Sequence, residues 1–141
     1  MAFKEGSWIA STLAAVSLAV AASKPPTVQL GPGVFRSQAQ MIVMPVYPPQ
    51  SVQAGHSGVA VADIYVSTKG VVEEVKLLQA PDAAIGSEII KAVSRWTFHP
   101  MKTMPDKTPV EIEGRLMFMF SLREGTPKVT DLAGAHSAQA H

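Results

Sequence analysis

Apolar and polar side chains alternate most regularly between Val110 and Leu122. This two-residue period is typical of a strand that buries one of its faces. The apolar positions are Val110, Ile112, Leu116, Phe118, Phe120 and Leu122, and the positions between them include Glu111, Glu113, Arg115, Met117, Met119 and Ser121. The pattern predicts a long strand that follows Thr108-Pro109 and turns the second set of side chains outward.

Two shorter segments rich in Val and Ile, Gly58–Ser67 and Val71–Gln79, predict a pair of strands. Gly70 lies between them and can adopt the left-handed conformation that a short hairpin requires. In the first of these strands, Ala60, Ala62, Ile64 and Val66 share one face, while Val59, Val61, Asp63 and Tyr65 share the other. In the second, Val72 has the opposite parity to Val75 and Leu77, which predicts a β-bulge near Glu73-Glu74.

The spacing of apolar residues after this pair predicts a helix. Ile85, Ile89, Val93 and Trp96 follow steps of four, four and three residues, and Ala92 fills the same stripe. Asp82 and Ser87 are both suitable N-cap residues. A second, short helical segment is expected at Pro48–Ala54.

Trp96 lies in the last turn of this predicted helix, followed by Phe98 and Pro100. If the chain becomes extended here, Phe98 points the same way as Trp96, and both rings close one end of the core. Pro100 cannot continue a helix, so it directs the chain towards the next strand.

The flanking segments differ from this central part. Residues 1–22 contain Lys4, the apolar run Trp8–Ala22 and the small-x-small sequence Ala19–Ala21, a layout typical of a secretory signal peptide. A retained membrane anchor is the alternative, and both interpretations place the domain in the periplasm. Residues 23–44 are rich in Pro and Gly and are interpreted as a tether. Residues 123–141 are interpreted as a disordered tail, which leaves 45–122 as the folded domain.

Composition excludes several classes of function. The chain has 141 residues, a net charge of +1 and no cysteine, so it offers no thiol chemistry and no electrostatic case for nucleic acid. We find no Ser-His-Asp order, phosphate loop or paired-carboxylate motif, and the sequence predicts neither an enzyme nor a cofactor. One alternative stays open. The pairs Met41/Met44, Met101/Met104 and Met117/Met119, together with His99, are soft ligands that suit Cu(I).

Trp96, Phe98 and Pro100, following Ala92-Val93, resemble the Trp-x-Phe-x-Pro signature of the TonB C-terminal domain family. Further similarities, in the family's order, are Tyr47-Pro48, Gly58, Lys69-Gly70, Ile85 and Pro109-Val110. The resemblance covers about Pro45–Leu122. It implies an α+β domain of order α-β-β-α-β, with a three-stranded antiparallel sheet and its helices on one face.

The segment before the domain departs from the energy-transducing members of that family. Those proteins have a motor-coupling Ser and His in a membrane helix and a long Pro-rich spacer. Here no histidine precedes His56 and the tether is short. A short anchored transducer therefore remains an alternative, and an accessory envelope protein is the preferred interpretation.

The family's strand order places the third strand at an edge of the sheet, where another strand can be added. The outward side chains of that sheet are the predicted partner-binding residues: Val59, Val61, Tyr65, Arg115, Met117, Met119 and Ser121. The expected partner is a protein of an envelope or membrane complex, such as an outer-membrane receptor peptide. A second copy of the chain is the alternative partner, because so much apolar surface on a solvent face favours association.

Overall fold

The computed structural model describes residues 24–134, which form eight strands, three helices and a helical stretch at 132–134. In chain order the elements are β1 (Thr27–Gln29), α1 (Pro32–Ser37), β2 (Ala39–Met41), α2 (Pro49–Ala54), β3 (Gly58–Val66), β4 (Val72–Gln79), α3 (Ala83–Val93), β5 (Thr97–Phe98), β6 (Met101–Lys102), β7 (Pro109–Arg123) and β8 (Thr126–Asp131). No helix between residues 24 and 134 has the length and apolar character needed to cross a membrane.

The long strand β7 organises the main sheet. One edge of β7 pairs antiparallel with β3 from Gly58↔Phe120 to Val66↔Ile112, and β3 pairs in turn with β4. The register of β3 and β4 shifts between Tyr65↔Glu74 and Val66↔Val72, which confirms the bulge predicted near Glu73. Gly70 closes this hairpin with a φ of 84°, and an added Cβ would overlap the carbonyl oxygen of Phe98.

The inner face of the sheet carries the core, as the alternation predicts. Its buried residues come from both central strands: Ala60, Ala62, Ile64 and Val66 from β3, and Val110, Ile112, Leu116, Phe118 and Phe120 from β7. Helix α3 covers this face with the predicted stripe of Ile85, Ile89, Ala92 and Val93. Asp82 is its N-cap and accepts a hydrogen bond from the Ile85 N–H at 2.7 Å. The apolar periods of the sequence therefore identified the buried faces of β3, α3 and β7.

Trp96 and Phe98 close one end of this core, as predicted. Both side chains are 1% exposed, and their ring centroids lie 6.2 Å apart. The indole N–H of Trp96 donates to the carbonyl oxygen of Val43 at 2.8 Å, so the buried ring has a polar partner. The Phe98 N–H donates to the Gly70 carbonyl at 2.8 Å and joins the helix exit to the β3–β4 turn.

The interpretation of residues 23–44 as a tether is wrong for the described part of that segment. β1 pairs with β7, β2 pairs with β5, and α1 lies between them. Phe35 of α1 is fully buried and packs on Gly114, where an added Cβ would overlap its ring. The ring centroid of Phe35 is 4.7 Å from that of Phe98, so this segment contributes to the core. Residue 23 lies outside the described residues.

The prediction of a disordered tail is likewise wrong between residues 123 and 134. Glu124 and Gly125 have φ values of 53° and 78°, as a tight two-residue hairpin turn requires, and β8 returns antiparallel along β7. Asp131 at the end of β8 forms an ion pair with Arg36 of α1 at 2.5 Å. The signal peptide or anchor predicted for 1–22, and residues 135–141 of the tail, lie outside the described residues.

The fold class is α+β, as predicted, but the main sheet has six strands rather than three. Three strands that all pair with β7 make the difference: β1, which is parallel, and β8 in the flanks, and the antiparallel β6 between α3 and β7. The sequence prediction assigned both flanks to irregular structure and gave no strand to residues 101–102, so it counted only the central strands β3, β4 and β7.

The burial of Phe35 leads to a test of whether the N-terminal flank belongs to the folded domain. We expect Phe35→Ala to lower the free energy of unfolding by about 3–5 kcal/mol, because it opens a cavity beside Gly114 and Phe98. Val34→Ala is the matched control, because Val34 is the preceding residue of the same helix and is 54% exposed. Denaturant unfolding monitored by tryptophan fluorescence measures both. Equal stability of the two variants would contradict the assignment of α1 to the core.

Candidate protein-binding site

The outward side chains predicted to bind a partner lie together on the outer face of the sheet. Val59 is opposite Met119, Val61 opposite Met117, and Tyr65 opposite Glu113 in the β3–β7 ladder. We call Val59, Val61, Met117 and Met119 the outer patch. Its four side chains are half-buried, because each covers its neighbours across the strands. Leu78, displaced by a register shift in β4, is 44% exposed.

An ion pair borders the outer patch on the side of the β3–β4 turn. The Arg115 guanidinium donates to both carboxylate oxygens of Asp63, at 2.8 and 3.2 Å. This hydrogen-bonded pairing raises the pKa of Arg115. Arg115 is half exposed, so solvent screens the pair and it contributes little to stability. Its main consequence is a fixed position for the Arg115 head group beside the apolar patch.

Tyr65 lies beyond this ion pair, between Glu74 of β4 and Glu113 of β7. Partial burial, and next the negative charge of Glu113, raise the pKa of the Tyr65 hydroxyl. The phenol therefore remains protonated and can donate a hydrogen bond at physiological pH. Ser121, at the opposite end of β7, lies beside Lys128 of β8. The seven predicted residues thus follow the outer face from one end of β7 to the other.

The prediction that the third strand has a free edge is wrong over much of β7. β1 pairs with residues 111–113 of β7, and β8 pairs with residues 118–123. Both pairing segments come from the flanks that the sequence pattern left unassigned. Among residues 24–134, no strand pairs with this edge between residues 114 and 117. We call residues 114–117 the edge gap.

The hydrogen-bonding direction of the edge gap follows from its neighbours. The Glu111 N–H donates to Pro26, and the Glu113 carbonyl accepts from the Leu30 N–H, both at 2.9 Å. Successive residues of a strand direct these groups to opposite sides. The main-chain groups of Arg115 and Met117 therefore point towards the same edge as those of Glu111 and Glu113, away from β3.

The opposite edge of the main sheet, formed by β4, is poorly suited to accept another strand. Register shifts interrupt its pairing with β3 near Glu73 and near Leu78. Glu73, Glu74 and Lys76 are exposed there. Bulges and charged side chains are the usual means by which an edge strand avoids pairing with other chains. The edge gap on β7 is therefore the more favourable position for an added strand.

The residues that carry the family resemblance lie in the core or at the boundaries of helices, strands and turns. Tyr47 packs edge to face on Phe120 with centroids 5.2 Å apart, and its hydroxyl donates to the His56 carbonyl at 2.5 Å. Burial, and next the charge of Asp82, raise the pKa of Tyr47. The remaining signature residues mark boundaries or core positions: Pro48 is the N-cap of α2, Gly58 begins β3, Gly70 closes the hairpin, Trp96 and Phe98 fill the core, and Pro100 follows β5.

Ser51, His56 and Asp82 form a cluster that the sequence analysis did not identify. The Ser51 hydroxyl donates to Asp82 Oδ2 at 2.6 Å, and His56 Nδ1 lies 2.8 Å from the same oxygen. Both partners contact the carboxylate, so the imidazole is not positioned to take the serine proton as a catalytic triad requires. The hydrogen bond from Ser51, and next that from the Ile85 N–H, lower the pKa of Asp82. The cluster joins α2 to α3.

The described residues offer no group of three or more His, Cys, Asp or Glu side chains that could hold a metal ion. Of the methionines considered as copper ligands, Met41, Met44 and Met104 are exposed, and Met117 and Met119 belong to the outer patch. The other candidate, Met101, pairs with Val110 in the β6–β7 hairpin. These positions give the copper interpretation no additional support.

Sequence reasoning also missed the polar contacts of β1. Thr27 Oγ1 donates to Glu111 at 3.2 Å, and Gln29 Nε2 donates to Glu113 at 3.0 Å, across 84 positions of sequence. A three-residue strand is too short to show a period, so no local pattern marked it. The only available signal was the alternation of Val28 and Leu30 with Thr27 and Gln29.

Comparisons with known proteins agree with the α+β fold described above. The family model described as "Gram-negative bacterial TonB protein C-terminal" matches residues 43–122. The fold is similar to the solution NMR structure of the Pseudomonas aeruginosa TonB C-terminal domain, with 21% identity and a TM-score of 0.50. The match covers 60% of this chain and 85% of that chain. No curated protein matches the chain.

The Ser51–His56–Asp82 cluster predicts a pH-dependent contribution to stability. The folded pKa of Asp82 lies below its ordinary value of 3.8, so its ionised form stabilises the fold. This contribution is complete above pH 3.8 and is lost as the pH falls through the lower, folded-state pKa. We expect Asp82→Asn, which retains an N-cap oxygen, to lose about 1 kcal/mol at pH 7.

Denaturant unfolding at pH 7 and below pH 3 measures this effect, with Asp106→Asn as an exposed carboxylate control. The difference between wild type and Asp82→Asn should shrink at low pH, and the control should follow wild type. A difference that is unchanged by acid would show that the carboxylate charge does not stabilise the cluster.

Proposed function

Since this chain belongs to the family of Gram-negative TonB C-terminal domains, we propose that it binds an extended segment of a protein partner in the cell envelope. The family is a protein-interaction module of the envelope, and its members act in the periplasm. The finer assignment concerns where and how the partner is held. The outer edge of β7 is the binding site, and the outer patch beside it is the specificity surface.

The observation that carries this proposal is the edge gap. Arg115 and Met117 direct main-chain hydrogen-bonding groups towards an edge at which no strand within residues 24–134 is paired. An added strand gains affinity from main-chain hydrogen bonds, and side-chain pockets on alternate residues provide selectivity. The ordered strands at either end of the gap hold β7 in the extended conformation that such pairing needs.

The apolar side chains of the outer patch give further support to the same proposal. Met117 belongs both to the edge gap and to the outer patch, where it faces Val61. Methionine adapts its shape to different apolar partners because its side chain is unbranched and polarizable. A segment added at the gap extends the sheet beside these side chains, so its outward residues contact Met117 and, through it, the outer patch.

Two kinds of envelope partner fit an extended segment bound in this way. One is a terminal peptide of an outer-membrane receptor, and the other is an extended loop or terminus in an accessory complex. Crosslinking from native membranes distinguishes them through the protein recovered. A second copy of the chain as partner would instead appear as a concentration-dependent dimer in size-exclusion chromatography.

The main test compares a main-chain change with side-chain changes at one position. Met117→Pro removes an N–H that points to the outer edge, where no β3 hydrogen bond is lost. We expect this variant to lose the partner recovered by the wild-type chain, while Met117→Ala reduces recovery only mildly. Circular dichroism checks that both variants retain the fold. The measurement is quantitative recovery of the crosslinked partner.

The double variant Met117→Ala/Met119→Ala is the control for binding to the face of the sheet. If this variant abolishes recovery and Met117→Pro does not, the partner packs on the outer patch without strand addition. If partner recovery is unchanged in all three variants, the proposed site is wrong.

A further inference from the structure

β1 is an unusual element of the main sheet. It is three residues long, and it runs parallel to β7, whereas β3, β6 and β8 all pair with β7 antiparallel. Thr27 and Gln29 are exposed, and Val28 is only half-buried. The strand therefore covers part of the β7 edge but buries little apolar surface.

Few interactions hold β1 in place. Outside the strand pairing itself, the main chain contributes the bonds from Glu111 N–H to Pro26 and from Leu30 N–H to Glu113. Thr27 and Gln29 add the side-chain bonds to the same two glutamates. All of these side-chain bonds are exposed to solvent, where a hydrogen bond exchanges readily with water.

The element that follows β1 is held far more firmly. Phe35 of α1 is fully buried, and Arg36 forms an ion pair with Asp131. The Arg36 guanidinium also lies 5.4 Å from the centroid of the Trp96 ring. The chain at α1 can therefore remain docked while the residues before it detach, because the two segments make separate contacts.

Detachment of β1 would change the outer edge of β7 in a defined way. Residues 111–113 would lose their strand partner, and they are continuous with the edge gap at 114–117. Residues 111–117 would then have no paired strand on this edge, while α1 stays packed on Gly114. β8 would remain paired beyond residue 117 and would limit the site at that end.

We propose that β1 covers part of the β7 edge to which the partner binds. An extended partner segment then binds by displacing β1. This inference rests on the proposed function and adds its regulation and the orientation of the partner. The contacts of β1 predict the strand direction and the side chains of the partner segment. It is a strand parallel to β7, with apolar residues at the positions of Val28 and Leu30, which pack against the core.

The outward positions of the partner strand should carry hydrogen-bond donors or cationic groups. In the present structure Glu111 and Glu113 accept from Thr27 and Gln29. A partner with lysine, arginine, serine or threonine at these positions satisfies both carboxylates. An acidic residue there is disfavoured, because it places like charges side by side.

Because β1 is tethered to α1, it competes as an intramolecular ligand. A short tether gives an effective concentration on the order of millimolar. A free peptide with the same contacts is therefore a poor competitor for the wild-type chain. It should bind far better to a variant in which the internal strand has been weakened.

Locking β1 to β7 tests the inference directly. The chain contains no cysteine, so the double variant Thr27→Cys/Glu111→Cys can form one disulfide, between paired residues. Neighbouring positions on paired strands lie within the Cα separation that a disulfide spans. We expect the oxidised form to lose partner recovery and the reduced form to restore it. The two single cysteine variants are controls for the side-chain changes.

Weakening β1 is the converse test. Leu30→Pro removes the N–H that donates to Glu113, whereas the neighbouring Gln29 N–H points away from β7. Gln29→Pro is therefore the control for the main chain, and Gln29→Ala accounts for the loss of the Gln29 side-chain bond to Glu113. The probe is a synthetic peptide with the sequence of residues 24–31, Lys-Pro-Pro-Thr-Val-Gln-Leu-Gly. We expect it to shift the amide resonances of residues 111–117 in Leu30→Pro, with affinity at least about tenfold above that for wild type.

The outcomes separate this inference from the proposed function. Partner recovery by the oxidised double variant, with recovery still lost in Met117→Pro, would overturn the displacement of β1 and leave strand addition at the gap intact. Equal peptide binding by wild type, Leu30→Pro and the oxidised variant would also overturn it. If Leu30→Pro does not fold, the oxidised and reduced forms of the cysteine variant still decide the question.

Discussion

The pairing capacity of a single strand determines this architecture. β7 has 15 residues and pairs with β1, β3, β6 and β8, so every strand of the main sheet except β4 depends on it directly. Its inner residues also supply one wall of the core, against which Trp96, Phe98 and Phe35 pack. The same strand therefore determines stability on its inner face and recognition on its outer face and edge. A change that twists or shortens β7 would affect both properties together.

The parts of the fold that could be predicted from sequence are those encoded by local periodicity. β3, β4, α3 and β7 each show their own apolar period, and the change from helical spacing to alternation located Trp96 and Phe98 in the core. The bulge in β4 followed from the parity of Val72. In each case the information lay within about a dozen consecutive residues, which is the range over which a period can be recognised.

The flanks could not be predicted in this way, because their structure depends on distant partners. β1 is ordered by Glu111 and Glu113, and α1 by the space above Gly114, about eighty positions away in the sequence. A solitary Phe35 that follows Gly31-Pro32-Gly33 has no periodic context. The signal for β8 was available: Glu124-Gly125 separates two extended runs by two residues, which is a common hairpin arrangement. For the candidate site, the sequence identified the outward side chains but not the strands that cover their edge.

The ion pair between Arg36 and Asp131 has a consequence for how the chain acquires its fold. It joins residues separated by 95 positions, and β1 pairs with β7 across 84. Contacts of such long sequence separation form slowly, because the loop between them must close first. A chain that leaves the ribosome or crosses a membrane with its N-terminus first cannot complete its sheet until residue 131 has emerged. The segments β1 and α1 therefore reach their final positions only after β7 and Asp131 are available to pair with them.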